Sequence, residues 1–201
     1  MDDSASSSLS KGQKRQRQII ETAIRLFAER GYTQVGFDDI AKACQVTRPL
    51  VNHYFRDKED LHSKIIPFIR RGYQNYVLQA MQEAAKTAED QMKCYIRASL
   101  EWPDEYPHHG RLWLFYFYQC TLDESKAKVN REFVDVGHQR IYQMILEGVY
   151  TGHFNVKNPK QVARKIQLMI TGTMISVATE KRVAADVESL RQLCFEVCLQ
   201  M

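Results

Sequence analysis

Apolar residues recur at intervals of three and four along most of the chain, which is the spacing of one face of an α-helix. Ile20, Ala23, Ile24 and Phe27 are the clearest example, and this stripe stops at Gly31, a residue suited to a left-handed helix cap. Glycines and prolines number only nine and five, and the alternating runs that form strands are nearly absent. The pattern predicts an all-α protein of about nine helices.

We expect the helices to divide between a small domain over residues 13–56 and a larger domain over residues 57–201. Residues 1–12 are predicted to be a disordered tail, because the opening MDDSASSSLS is acidic and serine-rich and lacks the features of a secretory signal. The helices of the larger domain are predicted over 57–84, 86–101, 126–150, 159–180 and 186–199. A further helix begins at 111, and its apolar and aromatic residues on every side predict that it is deeply buried.

Composition limits the function without choosing it. A formal charge of 28 minus 24, or +4, is too small to indicate a polyanionic partner by itself. The most apolar stretch, residues 166–178, falls short of the length that spans a bilayer, so we expect no membrane partner. Five scattered cysteines favour reduced thiols over a disulfide framework, which predicts a cytoplasmic protein.

A helix-turn-helix is predicted in the small domain. A short helix near 39–44, with Gly36 or Asp38 as its N-cap, is followed by a tight turn and a second short helix from Thr47. Thr47 can cap that helix, and Pro49 fits in its first turn, where a missing N–H costs nothing. Its inward-facing residues are predicted to be Val51, Tyr54 and Phe55.

The outer face of the second short helix suits the major groove of DNA. Arg48 can bond guanine, Asn52 can bond adenine, and Leu50 can meet a thymine methyl. His53 and nearby basic residues would contact phosphates, which adds attraction independent of base sequence. A merely solvated helix surface would carry similar residues, so spacing alone leaves both interpretations open. The candidate DNA-binding residues are Lys14, Arg15, Thr47, Arg48, Pro49, Leu50, Asn52, His53, Tyr54 and Lys58.

Two segments of this region, IIETAIRLFAERGY and DDIAKACQVTRPLVNHYFRDKEDL, closely resemble the N-terminal domain of the TetR family of bacterial transcriptional regulators. The resemblance implies a three-helix DNA-binding domain joined to a larger helical domain that binds a ligand and forms a homodimer. It also implies a repressor that a small molecule releases from its operator, with activation left open, and neither an enzymatic activity nor a cofactor.

The chain departs from the family pattern at positions that would contact DNA. The family commonly has Thr where Gly36 stands, so a hydroxyl that usually contacts phosphate is missing. Pro49, Leu50 and Asn52 stand where the family often has Gly, Thr and Tyr. The operator sequence therefore does not carry over from relatives, although a dimer would require a pseudo-palindrome with half-sites about 34 Å apart.

Aromatic residues gather around residues 102–110, WPDEYPHHG, where two prolines and a glycine are expected to break the helix. Helices around such a break could enclose a cavity for a flat or lipophilic effector, or the same residues could simply fill a core. We expect a bound ligand to bias the helix that begins after Asp57 and so to change the separation of the two DNA-reading helices. Side chains that could meet an anionic group are Arg97, His108, His109 and Arg111. The candidate ligand-binding residues are Trp102, Tyr106, Trp113, Tyr116, Phe117 and Cys120.

Two apolar stripes near the C-terminus predict the subunit interface. One lies on the helix over 159–180, where Gly172 would allow close approach, and the other on the helix over 186–199. Pairing both helices with their copies from a second subunit would complete a four-helix bundle. The candidate interface residues are Val162, Ile166, Met169, Ile170, Thr173, Val177, Leu190, Cys194 and Val197.

An all-α metalloenzyme of the di-iron type is one alternative. Glu59 with His62 and Glu105 with His108 are Glu-x-x-His pairs of the kind that serve such bundles. They fit poorly, because the first pair lies at a helix start and the second in the predicted break. We therefore expect no metal site.

A thiol-based redox sensor is the other alternative, because Cys194 and Cys198 lie one helical turn apart. Disulfide geometry disfavours a bridge within one helix, so buried thiols suit these positions better.

Overall fold

The computed structural model describes residues 10–84 and 87–180, together with Ser189, Gln192 and Glu196. Over these residues the chain is all-α, with eight helices and no strand, which confirms the predicted fold class. Apart from the three single positions, the predicted ninth helix over 186–199 lies outside the described residues. The chain divides into two compact units, one that ends at Arg70 and one that begins at Arg71.

The first unit contains α1 (Lys11–Arg30), α2 (Phe37–Ala43), α3 (Arg48–Tyr54) and the start of α4 (Lys58–Ala84). Leu61 and Ile65, on the first turns of α4, are fully buried, so the unit extends beyond the boundary predicted at residue 56. The apolar stripe predicted on α1 is buried as well. Its buried residues are Ile19, Ile20, Ala23, Ile24, Leu26 and Phe27.

A capping box starts α1 earlier than predicted. The Ser10 hydroxyl accepts from the Gln13 N–H at 3.2 Å, and Gln13 Oε1 accepts from the Ser10 N–H at 2.9 Å. Lys11 and Gly12, which were expected in the tail, are therefore the first two residues of the helix. The helix ends at Arg30, and Gly31 caps it. The φ of 85° at Gly31 suits glycine, but its ψ of 151° lies outside the left-handed helical region that the sequence predicted.

The second unit contains the rest of α4 with α5 (Ala88–Glu105), α6 (Pro107–Leu122), α7 (Glu124–Tyr150) and α8 (Pro159–Glu180). Helix α8 packs against α5, α6 and α7, and α7 also packs against α5 and α6. None of the helices in the described part of the chain is both long and apolar enough to cross a membrane.

The break predicted over residues 102–110 is only one residue long. Helix α5 continues through Pro103 to Glu105, and α6 begins at Pro107, so Tyr106 alone is non-helical. A residue that precedes proline is disfavoured in the helical conformation, which explains the break at Tyr106. Pro107 occupies the first position of α6, where a proline needs no N–H partner.

Helix α6 is buried on one face, although its composition predicted burial on every side. Its buried residues are Gly110, Leu112, Trp113 and Tyr116. By contrast, Phe115, Tyr118 and Leu122 are 38%, 60% and 72% exposed, so the prediction of a deeply buried helix was wrong.

The connection between α7 and α8 folds back onto Gly148. The N–H groups of His153 and Phe154 both donate to the Gly148 carbonyl, at 2.8 and 2.9 Å. The Phe154 ring occupies the space that a side chain at position 148 would need, since a Cβ there would lie 2.0 Å from a ring carbon. Phe154 is buried as a result.

Candidate nucleic-acid interface and cavity

Backbone bonds and one strained residue set the turn between α2 and α3. Gly36 is the N-cap of α2, and its N–H donates to the Asp39 carboxylate at 2.8 Å. Gln45 adopts a φ of 56°, in the left-handed region, and the Val46 N–H donates to the Ala41 carbonyl at 2.9 Å. Thr47 is the N-cap of α3, but its side chain makes no capping bond; Pro49 lies in the first turn as predicted.

Helix α3 is anchored on one side and open on the other. Val51 and Phe55 are buried, at 0% and 1% exposure, whereas Arg48, Asn52 and His53 are exposed. Leu50 is half-buried. Tyr54, predicted to face inward, is also half-buried, and its ring meets the His53 ring edge-on at 5.1 Å.

Arg48 has a partner that the sequence did not predict. Its Nη1 donates to Asp38 Oδ2 at 2.7 Å, and the two side chains are 57% and 72% exposed. Asp38 was considered only as a possible N-cap of α2, a position that Gly36 occupies instead. The spacing of ten residues between Asp38 and Arg48 has no helical meaning, so only the folded turn brings them together.

Of the predicted phosphate-binding cations, Lys58 is packed against the protein. Its Nζ lies 4.2 Å from the centroid of the Tyr32 ring and 3.5 Å from the Thr33 carbonyl oxygen. Lys14 is exposed, and Arg15 donates to Gln18 Oε1 at 2.6 Å. Of the three, Lys58 is the one held by contacts with an aromatic ring.

The candidate metal ligands do not gather into a site. The His62 ring packs edge-on against Tyr32, with centroids 5.0 Å apart. Across the residues that the structure describes, no group of three or more His, Cys, Asp or Glu side chains is placed to hold a metal ion.

A narrow cavity that is partly open to solvent lies within the second unit. Two of the six candidate ligand residues, Trp113 and Phe117, line it. The other four do not. Trp102 is buried and stacks on Tyr106 with centroids 5.8 Å apart, and the Tyr116 hydroxyl donates to the Lys126 carbonyl. The candidates that do not line the cavity are Trp102, Tyr106, Tyr116 and Cys120.

Most of the cavity wall was not predicted from the sequence, because its residues come from four other helices: α4, α5, α7 and α8. Gly137 is the residue that could have indicated this region, since a glycine in the middle of a helix often marks the close approach of another group to the backbone. A Cβ at this position would lie 2.6 Å from Gln167 Oε1 and 3.3 Å from the Tyr95 hydroxyl. The lining residues that were not predicted are Tyr73, Gln74, Tyr95, Phe133, Val134, Val136, Gly137, Arg140, Gln167, Thr171 and Met174.

Polar atoms of the cavity wall are buried, and two of them lack partners. The Tyr73 hydroxyl bonds the Ser99 hydroxyl at 2.9 Å, and burial raises the pKa of both Tyr73 and Tyr95. The charge of Arg140 opposes that rise at both phenols. Trp113 Nε1 and Gln167 Oε1 are buried and have no hydrogen-bond partner within the described structure.

The stripe predicted to join two subunits is largely buried inside one subunit. Helix α8 packs against α5, α6 and α7, and the stripe is on the packed side. Met169 is only half-buried. Residues buried in this way present almost no surface to a partner. The buried members of the stripe are Val162, Ile166, Ile170 and Thr173.

The exposed side of α8 carries other apolar residues. Leu168 and Ile175 are 63% and 37% exposed, and Gly172 lies on the same side between them. The remaining predicted interface positions, Leu190, Cys194, Val197 and the side chain of Val177, lie outside the described part of the chain.

The sequence is similar to known DNA-binding regulators over its N-terminal part. Residues 19–65 match the family model of bacterial regulatory proteins of the tetR family. The HTH-type transcriptional regulator LuxR of Vibrio harveyi is 36% identical over 64 residues, which are 32% of this chain and 31% of that protein. AcrR of Shigella flexneri is 40% identical over 53 residues, 26% of this chain and 25% of AcrR. The chain thus matches less than a third of the length of either relative.

Solved structures of similar fold cover nearly the whole chain. A TetR transcription regulator from Haloarcula marismortui has a TM-score of 0.79 and 18% identity, over 92% of this chain and 96% of that one. A transcriptional regulator from Saccharomonospora viridis, solved with choline, has a TM-score of 0.77 and 23% identity, over 91% and 94%. Identities this low establish the shared fold alone. Residues 19–65 thus match the tetR family of bacterial regulatory proteins, and the described chain shares the fold of a solved TetR regulator.

Proposed function

We propose that this protein is a homodimeric transcriptional regulator that binds a double-stranded DNA operator and is released when a small molecule occupies the cavity. The observation that carries the proposal is the two-sided character of α3. Arg48, Asn52 and His53 are exposed on a helix whose other side is fixed by buried Val51 and Phe55. Such a helix presents hydrogen-bonding groups to base edges while the core holds its orientation.

Ligand control is supported by helix α4, which begins in the first unit and ends in the second. Two of its residues, Tyr73 and Gln74, line the cavity. A ligand that binds one conformation of this wall better than another would bias α4 and therefore the helix-turn-helix. The similar fold solved with choline supports a small organic molecule as the occupant.

The exposed side of α8 is proposed as part of the dimer interface. Leu168 and Ile175 are exposed apolar side chains, and Gly172 between them would allow a second helix to approach closely. In analytical ultracentrifugation, Leu168→Glu should shift the protein toward monomer. Met169→Glu is not a useful control because Met169 is half-buried, so Arg164→Glu on the same helix serves instead.

We further propose a cytoplasmic location and no catalytic role. The di-iron and redox alternatives gain no support: the candidate metal ligands remain apart in the described structure, and Cys194 and Cys198 lie outside it.

Selection of bound fragments from random DNA tests the proposal directly. We expect a pseudo-palindrome with half-sites about 34 Å apart, bound far more tightly than random DNA. Recovery of no enriched sequence, with equal affinity for every duplex, would refute sequence-specific regulation.

A further inference from the structure

Aromatic side chains form the apolar wall of the cavity. Tyr73 and Phe133 both meet Trp113 edge-on, with centroids 5.4 and 5.2 Å from the indole, and Phe117 lines the same space. Rings arranged in this way suit a compact apolar or aromatic ligand body. They do not by themselves decide the ligand's charge, because aromatic faces also attract cations.

The charge of the cavity wall indicates the charge of the ligand. Arg140 is the one ionised side chain that lines the cavity, and no acidic residue of the described chain does. Arg140 is half-buried and makes no hydrogen bond or ion pair with any residue that the structure describes. A partly desolvated cation without a counter-charge favours an anion beside it and disfavours a second cation.

The nearby polar atoms fit the same ligand. Trp113 Nε1 is a buried donor without an acceptor among the described residues, and a ligand oxygen would satisfy it. The charge of Arg140 also lowers the pKa of Tyr73 and Tyr95 against the effect of burial, so its field extends to the phenols of the wall. Gln167 Oε1 offers an acceptor for a hydroxyl or N–H group on the ligand.

We infer that the cavity selects compact apolar or aromatic carboxylates, with Arg140 as the counter-charge of the carboxylate. This inference rests on the proposed function, since it names the chemical class of the effector. It also predicts that a quaternary ammonium or other cation is a poor occupant of this cavity, unlike the choline of the structurally similar regulator.

Isothermal titration of the full-length protein with phenylbutyrate, phenylbutanol and phenylbutylamine separates charge from shape. We expect the carboxylate to bind at least about tenfold more tightly than the alcohol, and the amine to bind least. Arg140→Gln should remove the advantage of the carboxylate, and Arg140→Lys should keep most of it. Arg131→Gln, the same change on the same helix but outside the cavity, should leave the order unchanged.

The inference is overturned if the amine binds best, if the three compounds bind equally, if none binds, or if Arg140→Gln keeps the preference for the carboxylate. Circular dichroism melts of each variant establish that it is folded. Gly137→Ala, whose Cβ would displace Gln167 Oε1, should weaken all three compounds alike. Operator affinity is measured in the same samples: a carboxylate that binds through Arg140 without changing that affinity would count against ligand-controlled release and leave the cavity chemistry standing.

Discussion

Asp38 on α2 accepts a hydrogen bond of 2.7 Å from Arg48 on the first turn of α3. The Asp38 carboxylate therefore binds the guanidinium that is proposed to bond a guanine. Both side chains are more than half exposed, and an ion pair of this kind contributes at most about 1 kcal/mol to stability. DNA could displace it at small cost, but the carboxylate remains a competitor for Arg48 and a negative charge on the proposed DNA-binding surface.

Asp38→Asn should tighten operator binding by about threefold to tenfold, because it removes both the competitor and its charge. Fluorescence anisotropy at fixed salt measures the effect. Glu21→Gln provides the control, since it removes the same charge from an ion pair on α1 that does not involve Arg48. Weaker binding by Asp38→Asn would instead mean that the ion pair holds Arg48 in its reading position.

Arg48→Ala and Asn52→Ala should each cost about 1–3 kcal/mol of operator binding, because each would lose a paired contact with a base edge. Stability should change little, since both side chains are exposed. Gel shifts with the selected operator and with random duplexes measure the difference. An equal loss on both kinds of DNA would argue against base reading.

Lys58→Ala should lower the free energy of unfolding by about 0.5–1 kcal/mol through loss of the contact with Tyr32. Urea denaturation checks this value, and Lys58→Met, which keeps the apolar stem, separates charge from packing. If Lys58 also leaves Tyr32 to meet a phosphate, both variants should reduce the slope of log affinity against log salt by about one. An unchanged slope would remove Lys58 from the DNA contacts.

Acid should destabilise the protein through His109. Burial, with a contribution from the charge of His108, lowers the pKa of His109 from 6.5 to about 4 in the folded protein. The unfolded chain therefore takes up a proton that the folded chain does not, so stability falls as the pH drops from about 6.5 to about 4 and then levels off. His109→Gln should flatten the pH dependence of unfolding by about 1–2 kcal/mol between pH 7 and 5. Identical pH profiles for the two proteins would contradict this assignment.

The sequence pattern correctly predicted the structural elements that depend on residues close to each other in the chain. The stripe on α1 and the turn before α3 depend on residues within a few positions of each other. The Ser10 and Gln13 capping box is equally local. It was not predicted because the serine-rich composition of residues 1–12 indicated a disordered tail.

The cavity could not be predicted from local sequence patterns. Tyr73, Tyr95, Arg140 and Gln167 come from four different helices, and each alone resembles an ordinary helical residue. The apolar stripe of α8 shows a related limit: periodicity identified a buried face, but a helix from the same subunit and one from a partner bury such a face equally well.

The Phe154 ring beside Gly148 gives a criterion for classifying relatives. Any side chain at position 148 would collide with this ring, so the residue at position 148 depends on the residue at position 154. A homologue that replaces the glycine must therefore also carry a smaller residue at the position of Phe154 or hold that ring elsewhere. In a correct alignment of relatives, a change at one of these two positions should accompany a change at the other.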